Sequence, residues 1–382
     1  MQKKIIALAI AAVMAAPAVA MAEATVYGQA NMAIEITDNG SDTTSTSVGN
    51  AADSRTQISS NVSRIGVKGS SEDLGGGMTA IWQMEGQVNL DDGTGVSGAG
   101  TSLFNRNTFA GLTGGFGTVV LGRHDTPYKM STRKLDMFAD TIADNRSIMG
   151  NGHDARLSNV LAYLSPDISG FNAAVALVLG TDNTFGGAAT TETSATSLSL
   201  QYGMDAWSVI LANQTIDSTD SVVPGNKYNS SATKLGGTFA MDMFSVGLVY
   251  EMLADKDGAG TKVEKNDIYI GGKVKVGDAG AVKLGYTMAS EWKVGGVTGK
   301  NSEGSQVSLG YDHALGKNTT VYALYSSVSN GTVNGTSCGG GCVVPSYGLN
   351  GGGSTGDTAP GPLVAGGVGN PNAVAFGIKH SF

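Results

Sequence analysis

Beyond its first two dozen positions this 382-residue chain has no apolar run long enough to cross a bilayer as a helix, which takes about 20 consecutive apolar residues. A bundle of membrane helices is therefore excluded. Basic residues are outnumbered, 24 Lys and Arg against 32 Asp and Glu for a formal charge of −8, which argues against nucleic acid as a partner. Histidine is scarce. His124, His153, His313 and His380 are scattered without metal spacing, so no metal site, catalytic site or cofactor is expected. A soluble chain of this length would normally divide into two or three domains, yet no linker or shift of composition divides this one.

What is present begins with an export signal. Lys3 and Lys4 precede a continuous apolar run from Ile5 to Ala16, and Ala20-Met21-Ala22 supplies small residues where a signal peptidase reads them. Residues 1–22 are read as a signal peptide cut before Glu23, although a cut after Ala20 obeys the same rule; residues 23–382 form one domain. Loss of Lys3 and Lys4 takes the formal charge from −8 to −10. Cys338 and Cys342 lie four apart in Cys-Gly-Gly-Gly-Cys. In an exported protein they are a candidate disulfide, one that constrains little beyond its own loop.

The remaining pattern has a period of two. In the last ten residues Val374, Phe376, Ile378 and His380 alternate with Ala375, Gly377, Lys379 and Ser381, and the chain stops on Phe382. The same alternation runs through Phe244-Val246-Leu248-Tyr250, Val282-Leu284-Tyr286-Met288, Val307-Leu309-Tyr311 and Leu198-Leu200-Tyr202. Such strands have one apolar and one wet face, as would those of a soluble sandwich, so the connections must decide. Short ones fall at Asp73–Gly77, Gly114–Gly117, Ser165–Gly170, Gly203–Ala206, Met241–Met243, Gly277–Gly280 and His313–Asn318. Long ones fall at about 37–54, 91–102, 124–155, 180–195, 214–231, 254–265, 290–303 and 328–372. Seven short and eight long connections join sixteen strands. An even count with short turns at one rim and long loops at the other predicts an all-β, closed, antiparallel transmembrane barrel, with short periplasmic turns and long extracellular loops.

No water reaches the hydrocarbon, so every backbone amide must bond within the sheet, and Lys or Arg on the lipid face costs about 2–4 kcal/mol near the midplane. Alternation accordingly places Arg64, Lys68, Glu85, Lys273, Lys275 and Lys283 inside, beside outward Ile65, Val67, Met84, Val274 and Val282. Tyr27, Tyr163, Phe171, Phe244 and Phe382 are candidates for the interfacial girdles.

Four stretches together carry a resemblance over essentially the whole mature chain. They are Ser63-Arg-Ile-Gly-Val-Lys-Gly69 with Glu72-Asp-Leu-Gly75, Asn105-Arg-Asn-Thr-Phe-Ala-Gly-Leu112, Gly117-Thr-Val-Val-Leu-Gly-Arg123, and Phe376-Gly-Ile-Lys-His-Ser-Phe382. The chain resembles the Gram-negative general-diffusion porins of beta- and gammaproteobacteria. The resemblance implies a homotrimer of barrels amid outer-membrane lipid and lipopolysaccharide, each passing small hydrophilic solutes and ions. It also implies a third loop folded inward to narrow the pore. Asp136 and Asp140 then correspond to the loop acids, Arg64, Arg106 and Arg156 to wall positions, Arg123 to the root of the loop, and Glu85 to an acidic lining residue. Phe376, Ile378 and above all Phe382 correspond to the signal read by the outer-membrane assembly machinery.

The third loop departs from the enterobacterial pattern. It lacks Pro-Glu-Phe-Gly-Gly and reads Leu135-Asp-Met-Phe-Ala-Asp-Thr-Ile-Ala-Asp144, a candidate short helix that leaves open which of Asp136, Asp140 and Asp144 reaches the lumen. The acidic total and these loop acids predict a slight cation preference. A substrate-selective channel, an outer-membrane enzyme and an adhesin are the alternatives. Gly335-Thr-Ser-Cys-Gly339 and Gly351-Gly-Gly-Ser-Thr-Gly356 match hydrolase and phosphate-loop patterns only by chance, since neither has a strand-turn-helix around it.

Overall fold

The computed structural model describes residues 24–38, 40, 54–93, 103–150, 152–180, 190–220, 227–256, 260–299, 302–331, 349 and 370–382. The signal-peptide reading, Cys338, Cys342 and most of the eighth long loop lie outside the described residues.

The first strands are β1 (Thr25–Asp38), β2 (Ser54–Ser60), β3 (Arg64–Asp73), β4 (Thr79–Gln87), β5 (Thr108–Gly114) and β6 (Gly117–Asp125). Next come β7 (Arg156–Leu164), β8 (Phe171–Val178), β9 (Thr190–Met204), β10 (Trp207–Asp220), β11 (Lys227–Ala240), β12 (Phe244–Lys256) and β13 (Lys262–Val276). The last are β14 (Gly280–Ala289), β15 (Lys293–Val294), β16 (Val297–Thr298), β17 (Gly304–Ala314), β18 (Thr319–Asn330) and β19 (Asn372–Ser381). Strands β2 and β3 both pair with β1 and form one interrupted crossing, while β15 and β16 are a small hairpin within a loop. Sixteen crossings remain, each antiparallel to its neighbours. Strand β19 closes against β1 from Gln29↔Ser381 to Asp38↔Asn372, and Gly28 and Phe382 exchange backbone hydrogen bonds of 2.9 and 3.1 Å beyond it. Both edges vanish, as hydrocarbon demands.

The interruption in the second crossing shows the same demand locally. Val62 takes φ 56°, costly for a β-branched residue, and the ladder breaks there. The Ser63 hydroxyl fills the gap, accepting from the Asn31 N–H at 2.9 Å and donating to the Asn31 carbonyl at 3.1 Å.

Alternation sorts the faces as expected. Leu121, Leu248, Ile270, Leu284, Leu309, Phe376 and Ile378 are exposed on the outside, facing lipid. Tyr163, Phe171, Phe244 and Phe382 are likewise outward and exposed. Tyr27 is a correction: its neighbour Val26 takes the outer face, so Tyr27 turns inward and its hydroxyl donates to Glu85 Oε2 at 2.9 Å. Three long connections are also shorter than the sequence suggested. Strands β9 to β13 run 13–15 residues, past the length needed to span the membrane. Their outer turns, such as Gln214–Ser218, are rich in polar residues and read as loop.

Candidate functional site: the third loop and the wall it meets

The connection from β6 to β7 does not leave the barrel. Thr126 caps a short helix, Pro127–Thr132, accepting from the Lys129 N–H at 3.3 Å. A 3-10 turn follows at Arg133–Leu135 and another at Asn145–Ser147. The helix expected at 135–144 is absent: helical structure precedes and follows that stretch, whose Asp136 and Asp144 carboxylates bind backbone N–H groups instead. Aspartate used this way favours turns over helix. Asp140 adopts φ 62° at the bend, a conformation aspartate tolerates better than most residues.

The loop seats on a shelf of glycines. Gly247, Gly271 and Gly285 are successive cross-strand partners on β12, β13 and β14, with Gly236 and Gly310 to either side. A Cβ at Gly247 would stand 3.0 Å from the Leu135 carbonyl oxygen, and one at Gly271 3.0 Å from Met137 Cγ. At Gly285 and Gly310 it would stand 3.1 and 2.8 Å from ring carbons of Phe138. Missing side chains thus make the space that Leu135, Met137 and Phe138 occupy. Phe138, Ile142, Ala143 and Ile148 pack there with Ala33, Ala289, Tyr322, Leu324, Val328 and Ala375 of the wall.

Polar bonds hold the two stems. Buried Glu251 on β12 accepts from the Tyr128 hydroxyl and from the Gly150 N–H, the latter at 2.7 Å. Lys234, its cross-strand partner on β11, reaches Asp154 at 2.5 Å and Glu251 at 3.5 Å. Lys265 donates to the Ile148 carbonyl at 2.7 Å, and His153 lies 3.2 Å from Asp255.

The expected constriction residues fall into three groups. Arg64, Glu85, Arg106 and Asp140 come together. Arg106 Nε donates to Glu85 Oε1 at 2.6 Å, Arg64 Nε lies 3.9 Å from Glu85 Oε2, and Arg64 Nη1 lies 3.7 Å from Asp140 Oδ2. Asn31 also donates to the Asp140 carbonyl at 2.7 Å, so the loop tip touches the wall at β1 and β3. Arg123 and Arg156 form a second group beside the loop's root. Arg123 donates to the Asn105 carbonyl at 2.8 Å and to Ser158 at 3.0 Å. Arg156 pairs with Asp125 at 3.1 Å and donates to Asn107 at 2.9 Å. Asp136 stands apart, buried within the loop, where it accepts from the Phe138 and Asn145 N–H groups at 2.9 and 3.1 Å.

Sequence reasoning missed Arg133 and Arg146. Arg133 Nη2 binds Asp140 and Asp144 at 2.6 Å each, and its Nη1 lies 3.5 Å from Asp136. Arg146 adds bonds of 2.9 and 3.0 Å to Asp144. Burial disfavours the Asp140 and Asp144 carboxylates, but the Arg133 and Arg146 guanidiniums outweigh it and hold both well below the usual range. For Asp136 burial and the neighbouring Asp144 charge prevail over Arg133, and its carboxyl is pushed up to about 6. The acids that suggested cation preference are therefore matched within their own loop. Four arginines (Arg64, Arg106, Arg133, Arg146) face four acids (Glu85, Asp136, Asp140, Asp144). Lys234 and Glu251 were also overlooked, although two inward-parity residues of opposite charge on successive strands could have signalled them.

A family profile described as Gram-negative porin matches residues 7–332. Outer membrane porin protein 32 of Delftia acidovorans is 27% identical over 349 residues, spanning 86% of this chain and 90% of that one. Major outer membrane protein P.IB of Neisseria sicca is 28% identical over 346 residues, 84% and 92% of the two chains. Among solved structures, an anion-selective porin from Comamonas acidovorans superposes with a TM-score of 0.71 at 23% identity, over 95% of this chain and 100% of that one. With an inward-folded loop in a closed sixteen-stranded barrel, and a family match across most of its length, this chain belongs to the Gram-negative porins and resides in the outer membrane.

Proposed function

We propose that the protein forms a water-filled channel for passive diffusion of small hydrophilic solutes and ions, narrowed by the third loop. The observation that carries this reading is the Arg64–Asp140 pair, in which a wall cation and a loop-tip anion, with side chains 25% and 20% exposed, meet at 3.7 Å. Fixed opposite charges across a narrow aqueous passage create a transverse field. A polar solute can orient in it, whereas an apolar one gains nothing and still loses water contacts. Arg64, Arg106, Arg123 and Arg156 supply the positive arc along β3 to β7; Asp140, with Asp136 and Asp144 behind it, supplies the negative side. Where the tip meets the wall, Arg64, Arg106, Arg133 and Arg146 offset Glu85, Asp136, Asp140 and Asp144, and inward Lys379 on β19 adds a cation that interacts with Asp140 and Arg64.

The assembly is proposed to be a homotrimer, a form described for a structurally similar outer-membrane protein of Vibrio cholerae at 17% identity. Phe382, which completes the closing seam against Gly28, is proposed as the residue the assembly machinery reads, together with Phe376 and Ile378.

Purified protein in a planar bilayer should give stepwise conductance in groups of three, and vesicles containing it should swell in small sugars but not in large ones. A folded trimer that passes neither ions nor sugars would sink this reading.

A further inference from the structure

One feature of the inner wall lies outside the constriction. Lys273 on β13 and Lys283 on β14 are direct cross-strand partners, and both point inward because Val274 and Val282 take the outer face. Lys275 follows on the same face of β13. Like charges directly opposed destabilise a sheet, and elsewhere this wall neutralises them. Glu251 and Asp267 are also cross-strand partners, but Lys234 and Lys265 offset them at 3.5 and 3.0 Å. In the lysine cluster only Lys283 is matched, by Asp312 at 2.8 Å. Among the described residues no acid lies within ion-pair distance of Lys273 or Lys275, and both are exposed to the lumen.

The cluster's position gives it a task. Lys273 follows Gly271 by two residues and Lys283 precedes Gly285 by two, so both stand one row, about 7 Å, from the glycine shelf toward the short-turn rim. Lys283 Nζ lies 4.9 Å from the centre of the Phe138 ring, the loop residue seated on that shelf. The lysines therefore stand directly beyond the third loop, on the side that is periplasmic in bacterial barrels.

We propose that Lys273, Lys275 and Lys283 form a subsite for multivalent oxyanions, such as di- and tricarboxylates or phosphates, at the periplasmic exit of the constriction. This rests on the channel reading above. Lys283 is held in place by Asp312 and Phe138, while Lys273 and Lys275 have ammonium groups free to close on a ligand. Two oxyanion groups on one solute can engage two lysines at once; a monovalent anion cannot. The subsite gives the channel a sidedness, concentrating polyanions on the periplasmic side.

The test is single-channel recording in potassium chloride with citrate added to one side, on wild type and on the K273Q/K275Q variant. Both positions are exposed and, among the described residues, unpaired, so the barrel should fold normally. Citrate on the short-turn side should interrupt wild-type current at concentrations where acetate does not. In the variant the citrate concentration for half-block should rise about thirtyfold, as expected for losing two charges at roughly 4 Å through water, while chloride conductance persists. Lys68→Gln on β3, an inward lysine outside the cluster, should leave the block unchanged. Equal citrate block in wild type and K273Q/K275Q, or equal loss in Lys68→Gln, would overturn the subsite. A wild-type channel that conducts but ignores citrate defeats the subsite alone; one that never conducts defeats the channel reading.

Discussion

Phe138→Ala should widen the pore, and the structure indicates by how much the loop's hold weakens. The Phe138 ring is 1% exposed and sits on Gly285 and Gly310, the seat of the loop tip farthest from its two anchored stems. Truncating a buried phenylalanine costs about 3–5 kcal/mol. The lower figure suits this site, since water can enter from the lumen as the tip lifts. At 1.4 kcal/mol per tenfold, about 3 kcal/mol shifts the docked-to-lifted ratio of the tip roughly a hundredfold. The stems stay fixed by Glu251, Lys234 and Lys265, so the barrel should persist while its neck opens. Conductance should rise, and sugars too large for the wild type should swell vesicles. Gly285→Val should reach the same end sterically, pushing an intact Phe138 off its seat. The inference fails if both variants, shown to be folded by heat-modifiable migration, keep wild-type conductance and size limit.

Three further outcomes follow from other contacts. Glu251→Gln removes the charge that faces Lys234 and weakens the hold on Tyr128 and Gly150; thermal unfolding should start several degrees lower and open-channel current should become noisier. Asp136, pushed up to about 6, is mostly ionised at pH 7 and mostly protonated at pH 5, whereas Asp140 and Asp144 stay charged throughout. Reversal potential under a salt gradient should therefore move toward anions as pH falls across that window, and Asp136→Asn should remove the movement. Deleting Phe382 takes away both backbone bonds to Gly28, each worth about 1 kcal/mol; the yield of folded barrel should drop before the conductance of surviving channels changes.

The barrel was legible because its constraint is one-dimensional. Hydrocarbon outside and water inside impose a period of two on every crossing, and Leu248, Leu284 or Ile378 could be assigned to the lipid face without knowing any neighbour. The same rule correctly sent Arg64 and Glu85 inward. Tyr27 went astray because an aromatic near a strand end suggested a girdle, when the parity of Val26 already turned it inward. The overlong loops arose where strands pass beyond the hydrocarbon, since Thr, Ser and Asn there no longer need to alternate with apolar residues.

The third loop obeys no such rule. Its path is set by what it touches, and those partners are far away in sequence: Asp140 reaches Asn31 and Arg64, Phe138 reaches Gly285 and Gly310, and Tyr128 reaches Glu251. The acids in Leu135–Asp144 were visible, but Arg133 and Arg146 turn them from free charges into matched ones, which a count of residues along the loop does not reveal. Barrel closure, strand number and the lipid-facing side of each strand follow from residue order alone, because solvent on either side of a thin wall dictates them locally. Where the loop rests, which charges are spent on one another and which, like Lys273 and Lys275, stay unmatched among the described residues emerge in the fold alone, because they depend on strands brought together across the lumen.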